Sequence, residues 1–314
     1  MPSRYPIQDV LPDFSQEDCE HALFAAKWPT GFRCPRCGHS QYYQITTRQR
    51  PLLECRSCAH QTSLTAGTVL EGSRTPLMKW FQAMFLMQLG ISARRLAELI
   101  GVTYKTAWLM NHKLRHAIGV RDLERPLDGD LQLLDEYYGY EYHRYLGSLL
   151  MQEALKPQPI VVGASVNGAG DIVYLKMKAG DGPESDDATR HSADSEETVE
   201  RFVQKHVAHG AAHERAERLE RGHRGQTALH VAWREAVRWL TWTFGGIGPK
   251  HLQAYLNEFC FRRLLRRNDM LAELISCCGT TETITYRRLV GTRSGIRPIP
   301  WAYRRPARRQ RYTG

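Results

Sequence analysis

No stretch of the 314-residue sequence approaches the roughly 20 uncharged apolar residues that a membrane-spanning helix needs. The best run, Leu77 to Leu89, is short and interrupted by Lys79, Gln82 and Gln88. The N-terminus, MPSRYPIQDVLPDF, lacks the basic start and apolar core of a secretory signal. Neither secretion nor membrane insertion is therefore expected, no membrane partner is foreseen, and a reducing cytoplasm is the expected setting. No internal repeat is visible. Acidic residues are absent after Glu282, whereas nine arginines follow it: Arg287, Arg288, Arg293, Arg297, Arg304, Arg305, Arg308, Arg309 and Arg311. They nearly account for the net charge of +10, so the excess charge is a tail, residues 283–314. A basic segment of this kind fits a polyanionic partner, with Arg304, Arg305, Arg308 and Arg309 as expected phosphate contacts.

What is present has a globular balance. At 42% hydrophobic and 24% charged residues the chain has enough apolar surface to exclude wholesale disorder, and its length suits two domains with a small appended element.

Four of the eight cysteines form C-x₂-C-x₁₇-C-x₂-C: Cys34, Cys37, Cys55 and Cys58. Each x₂ turn places two sulfurs on one side of a knuckle, and four thiolates suit one tetrahedral Zn²⁺. Two disulfides would require an oxidising compartment for which the sequence gives no sign. Gln41 to Glu54 between the pairs reads as a hairpin. Residues 13–70 are thus expected to form a zinc ribbon, entered by a helix opening at Ser15 whose apolar face and Trp28 pack on it. Cys19 and Cys260 lie in apolar helical patterns and read as core; Cys277 and Cys278 carry no readable chemistry.

Residues 71–121 read as helical. Pro76 suits the first turn of a helix running to Gly90. Then S-ARRLAELI-GVT-YKTAWLMNHKLRHAI has an N-cap serine, a short helix, a Gly-Val-Thr turn and a second helix, the pattern of a helix-turn-helix. Exposed Tyr104, Lys105, Trp108, Asn111 and Lys113 are expected to face DNA. An ordinary helical hairpin with a solvated basic face is the alternative.

From residue 127 the period changes, and residues 127–267 are expected to be an α/β core. LQLLDEYYG reads as a strand carrying Asp135 and Glu136. Residues 160–180 read as a hairpin turning at Asn167–Gly170. The acidic stretch after it reads as a solvated loop, followed by a helix over Thr198–His209. HERAERLERGHRGQT is too charged for a buried strand. Two helices close the core, one bearing Glu235 beside the inward-facing Trp233 and Val237. Convergent carboxylates can hold Mg²⁺ ions that activate water or a 3′-hydroxyl for displacement at phosphorus. By spacing alone, a turn-capping Asp135 and a surface Glu235 are the simpler reading.

The cysteine block, the helix pair, LLDEYYG and GGIGPKHLQAYLNEFCFR together resemble insertion-sequence transposases of the zinc-ribbon, ISXO-two-like group, over about residues 10 to 267. The resemblance implies a zinc ribbon and helix-turn-helix that bind the element's terminal repeats, and an RNase H-like core with a DDE-type acidic triad and Mg²⁺. It further implies terminal-repeat and target DNA as partners, with action as a homo-oligomer on DNA. It maps the first acid onto Asp135 and the last onto Glu235. The family's second acid, in a T-D-G motif on a strand, has no counterpart: that place reads GAAHERAERLERGH, which predicts a core truncated by one strand. Glu214 and Glu217 are substitutes without a motif, and Asp186 and Asp187 precede the helix that should come first. Tyr140 replaces a family glycine, Val237 a lysine, and Phe244-Gly245 a histidine pair. The leading expectation is a DNA transposase. The alternatives are a catalytically degenerate relative that only binds DNA and, more remotely, an unrelated zinc-ribbon regulator.

Overall fold

The computed structural model describes residues 12–46, 51–139, 158–180, 191–208, 216–220, 227–265 and 267–290. The expected tail positions Arg304, Arg305, Arg308 and Arg309 lie outside these residues, as do Tyr140, Asp186, Asp187 and Glu214. The chain divides into one large unit, residues 1–283, and a short one, residues 284–314, whose described part holds a single-turn helix, α9 (Tyr286–Val290).

In the large unit, helix α1 (Gln16–Lys27) starts where expected: the Ser15 hydroxyl accepts from the Asp18 N–H and donates to the Asp18 carboxylate at 2.6 Å. Its far end packs on a three-stranded antiparallel sheet, β1 (Tyr42–Ile45), β2 (Leu52–Cys55) and β3 (Gln61–Ser63), in that order. The third strand is the start of QTSLTAGTVLEGSRTP, which by sequence reads as a polar, β-prone link. A small core of Trp28, Phe32, Leu53, Cys34 and Cys55 holds the two together. Aromatic rings run through it, Phe24 on Trp28 at 5.0 Å and Phe32 on Tyr42 at 4.8 Å.

A helical core follows. It joins α1, α2 (Leu77–Met87), α3 (Ala93–Ile100) and α4 (Tyr104–Leu123) with α8 (Arg267–Thr280) from the far end of the chain. Buried Cys277 and Cys278 belong to this core beside Cys19, which gives those cysteines a packing role. The Ser92 cap and the Gly-Val-Thr turn stand as the sequence indicates, and the structure adds a left-handed Gly101 and a Thr103 cap at that turn. Helix α4, however, is a core helix: from Met110 to Arg115 every residue is buried.

The second half is a four-stranded sheet ordered β6 (Ile172–Ala179), β5 (Gln158–Val166), β4 (Asp130–Tyr138), β7 (Ala216–Leu219). The first three strands are antiparallel, and β7 runs parallel to β4. Successive side chains of a strand face opposite ways, and β4 is lined accordingly. Leu131 and Leu133 meet α5 (His191–His206), while Leu134 meets α6 (Ala228–Phe244) and α7 (Pro249–Leu264). Any side chain at Gly163 on β5 would strike Phe202 of α5 at 2.6 Å, so that helix lies close on the sheet.

Two expectations are corrected here. Residues 216–219 do form a strand, so the sheet is not short of it. β7 sits at the sheet edge with three of its four residues exposed, which is how so charged a segment can pair. Helix α5 begins at His191, so the second half of the acidic stretch is helical rather than loop.

Candidate metal centre and acidic site

The four knuckle cysteines converge. Cys34 Sγ lies 3.7 Å from Cys58 Sγ and Cys37 Sγ 3.6 Å from Cys55 Sγ, and all four sulfurs fall within 4.8 Å of one another. A tetrahedral zinc with Zn–S bonds of about 2.3 Å requires sulfurs about 3.8 Å apart. The donor set therefore fits Zn²⁺. The two knuckles repeat each other in backbone detail. Gly38 N–H donates to Cys34 O and Ala59 N–H to Cys55 O, while the Cys34 and Cys55 N–H groups donate to His39 O and His60 O. Electrostatics also call for a cation. Burial resists ionisation of Cys34, but the Cys37 and Arg36 N–H groups aimed at its sulfur draw its pKa down to about 7. The His39 N–H favours the Cys37 thiolate, yet the surrounding sulfurs push that thiol up to about 12. The neighbouring sulfurs thus favour the Cys34 thiolate and oppose that of Cys37, and a divalent cation removes the conflict.

The knuckle geometry places a left-handed residue after the second cysteine of each pair: Gly38 at φ 74° and Ala59 at φ 54°. Glycine meets that demand freely, and alanine does not. Ala59→Gly should stabilise the zinc-loaded ribbon by up to about 1 kcal/mol, after the extra freedom of glycine in the unfolded chain is set against the relieved strain. Denaturant unfolding of the two forms checks this, and a less stable glycine variant would contradict it.

Residues 14–61 match the family model of the transposase zinc-ribbon domain. A 129-residue stretch, 40% of this chain, is 32% identical to "Uncharacterized protein in transposable element ISH50" of Halobacterium salinarum. Over residues 14–61 the chain is thus similar to the zinc-ribbon domain of transposases. The match spans 42% of that relative's length. No solved structure matches the chain.

The two candidate acids, Asp135 and Glu235, pack on opposite faces of the sheet. Asp135, mostly buried on β4, has the same parity as Leu131 and Leu133, the residues that meet α5. Its Oδ1 lies 3.6 Å from Arg218 Nε, and Arg218 also reaches Glu196 of α5 at 3.9 Å. Glu235 sits on α6, the helix packed against the opposite face, and accepts from Arg263 of α7 at 2.6 Å. Among the described residues, no group of three or more convergent Asp, Glu, His or Cys ligands includes either acid; the group found is the four cysteines.

Two residues that the sequence did not single out occupy the relevant edge. The β4–β7 register ends at Leu134 with Leu219, and the residues that follow this last pair are Asp135 and Glu220. His230, in the first turn of α6, reaches back to the same place. Its Nε2 donates to the Glu220 carbonyl at 2.9 Å while its Nδ1 accepts from Thr227 Oγ1 at 2.7 Å, the tautomer that satisfies both partners. The α6 side chain brought to the end of β7 is thus an imidazole, and Glu235 lies more than one turn beyond it. Only the parallel pairing reveals this, because β7 carries no hydrophobic signal. Glu217, the other substitute acid, is exposed and holds Gln132 at 2.9 Å.

The expected DNA-facing row of α4 is shorter than its sequence suggests. Tyr104 is 56% exposed, Lys105 is exposed and Trp108 is half-buried. Asn111 and Lys113 are buried. The Lys113 ammonium donates to Glu71 O at 3.3 Å and Thr283 Oγ1 at 2.8 Å, and burial lowers its pKa. They face inward because α4 is covered by α2 and α8 on one side and α7 on the other. The ribbon adds exposed Arg33, Arg36 and Arg56, the last over the Tyr43 ring at 4.4 Å. Among the described residues no helix is long and apolar enough to cross a membrane.

Proposed function

We propose that this chain is a transposase derivative whose working activity is DNA binding. The zinc ribbon and the exposed start of α4 act as the reading surface of a helix-turn-helix module, and the arginine tail holds phosphates. Terminal repeats of an insertion sequence are the DNA this reading favours. The sheet order, three antiparallel strands and a fourth parallel to the first, supports an RNase H-like core behind that module. The observation that carries the reading is the state of the acids. Asp135 is matched to Arg218, Glu235 is matched to Arg263 across the other face, and the α6 side chain that bonds the Glu220 carbonyl just past β7 is His230. A pair of Mg²⁺ ions needs convergent carboxylates, and these are dispersed.

A second reading, an active transposase, has one observation in its favour: Asp135 and Glu220 directly follow the last pair of the β4–β7 register, Leu134 with Leu219. In that case Asp135 and Glu220, rather than Asp135 and Glu235, hold Mg²⁺.

One experiment separates the two. Zinc-loaded protein is titrated with the ends of its insertion sequence and then incubated with Mg²⁺ or Mn²⁺. Tight binding without strand cleavage is the expected result. Removal of residues 291–314 should lower the salt slope by about one for each phosphate that the shortened chain no longer neutralises. Cleavage that disappears in both Asp135→Ala and Glu220→Ala would overturn the binding-only reading in favour of the second. Failure to bind any DNA would end both.

A further inference from the structure

The helix α6 carries three tryptophan side chains with different fates. Trp233 is buried in the sheet core and Trp239 is half-buried, with its indole N–H donating to Gly90 O at 3.0 Å. Trp242 is 84% exposed, the most exposed large hydrophobic residue among those described. Packing inside the chain does not require it there: the core of the sheet closes on Trp233, Ala236 and Leu240. A single exposed indole is ordinary on a protein surface, so it is its neighbours that give it meaning.

Its surroundings select the partner. Arg234, Arg238 and Trp242 recur at four-residue spacing, which places them along one side of the helix about 5–6 Å apart. Arg238 is exposed. The acid of this helix, Glu235, is neutralised by Arg263 at 2.6 Å, so the face presents positive charge beside a flat π-system. That combination favours a nucleic acid strand over a second copy of the chain, because pairing this face with itself would bring arginines together. Within a duplex both faces of each base are covered by its neighbours. An indole can stack on a base only where the stack ends or a base is out of it.

The geometry points to the outer face of α6 as a seat for unpaired DNA, with one base stacked on Trp242 and the adjacent phosphate held by Arg238. This rests on the DNA-binding reading above and adds to it a separate, strand-selective contact. The ribbon and α4 would hold the duplex while α6 takes a frayed or single-stranded end.

The test uses the zinc-loaded full chain and two labelled probes, a blunt duplex and the same duplex with a short unpaired overhang, titrated by fluorescence anisotropy at one salt concentration. The wild type is expected to prefer the overhang. Trp242→Ala should weaken overhang binding about tenfold while leaving the blunt duplex unchanged. Trp242→Phe should retain most of the preference, since a phenyl ring still stacks. A surface substitution at so exposed a site leaves the fold intact, so the comparison is not confounded by unfolding. The proposal is overturned if Trp242→Ala binds the overhang as tightly as the wild type. It is equally overturned if that variant turns a dimer into a monomer by light scattering without changing strand preference, the mark of a self-interface. Wild-type protein that binds neither probe would instead remove the DNA-binding reading itself.

Discussion

Stripping zinc with a chelator, or replacing Cys34 and Cys58 by serine, should unfold the ribbon and abolish DNA binding. The ribbon's own core amounts to five buried residues, two of them the ligands Cys34 and Cys55. Its strands are three and four residues long, and sheets so small are marginal by themselves. Binding of a structural zinc by thiolates contributes on the order of 10 kcal/mol or more to such a module. The metal is therefore the main source of its folding energy. The helical core has its own buried leucines and methionines and should survive. The expected result is a loss of ribbon signals, and of zinc by elemental analysis, with helical circular dichroism largely retained. Full retention of DNA affinity in the zinc-free serine variant would overturn the role given to the ribbon.

The second large effect lies at the junction of α4 and α7. Arg115 Nε donates to Glu258 Oε2 at 2.6 Å, with both side chains only 1% exposed. The Arg115 guanidinium lies over the Tyr255 ring at 3.7 Å. Arg262 stands 3.9 Å from the other Glu258 oxygen and 4.6 Å from the Trp239 ring centre. Two cations share one buried carboxylate, and burial lowers the Arg262 pKa against the attraction of Glu258. Gly90 makes room for this: any side chain there would collide with the Arg262 guanidinium. Glu258→Ala leaves both cations uncompensated in the interior and should cost about 3–5 kcal/mol. Glu258→Gln keeps an acceptor for Arg115 and should cost less. Denaturant unfolding measures both, and a change below about 1 kcal/mol for the alanine variant would show that water reaches the site. Because this pair joins the helical half to the sheet half, its loss should also weaken DNA binding that needs both.

Much of the local structure was legible in the sequence because its causes are local. The Cys-x₂-Cys spacing dictates the knuckles, Ser15, Ser92 and Thr103 cap helices through their own hydroxyls, and Asn167–Gly170 turns a hairpin. The core roles of Cys19 and Cys260 follow from helical periodicity. The zinc ligands needed nothing beyond these rules.

What tertiary structure alone decided concerns partners distant in sequence. Asn111 and Lys113 have the polarity of a DNA-reading face, yet α7 and α8, more than 130 residues later, cover α4 on the sides that would have been open. Lys113 is accommodated because the carbonyl of Glu71 and the hydroxyl of Thr283 happen to converge on it. Strand β7 escapes any hydrophobic pattern because an edge strand needs only backbone pairing, which sequence does not display. That pairing brings Glu220, the residue after its last pair, into consideration alongside Asp135. Sheet parity separates Asp135 from Glu235: neighbouring residues of one strand face opposite layers, and the helix bearing Glu235 packs on the layer that Leu134 faces.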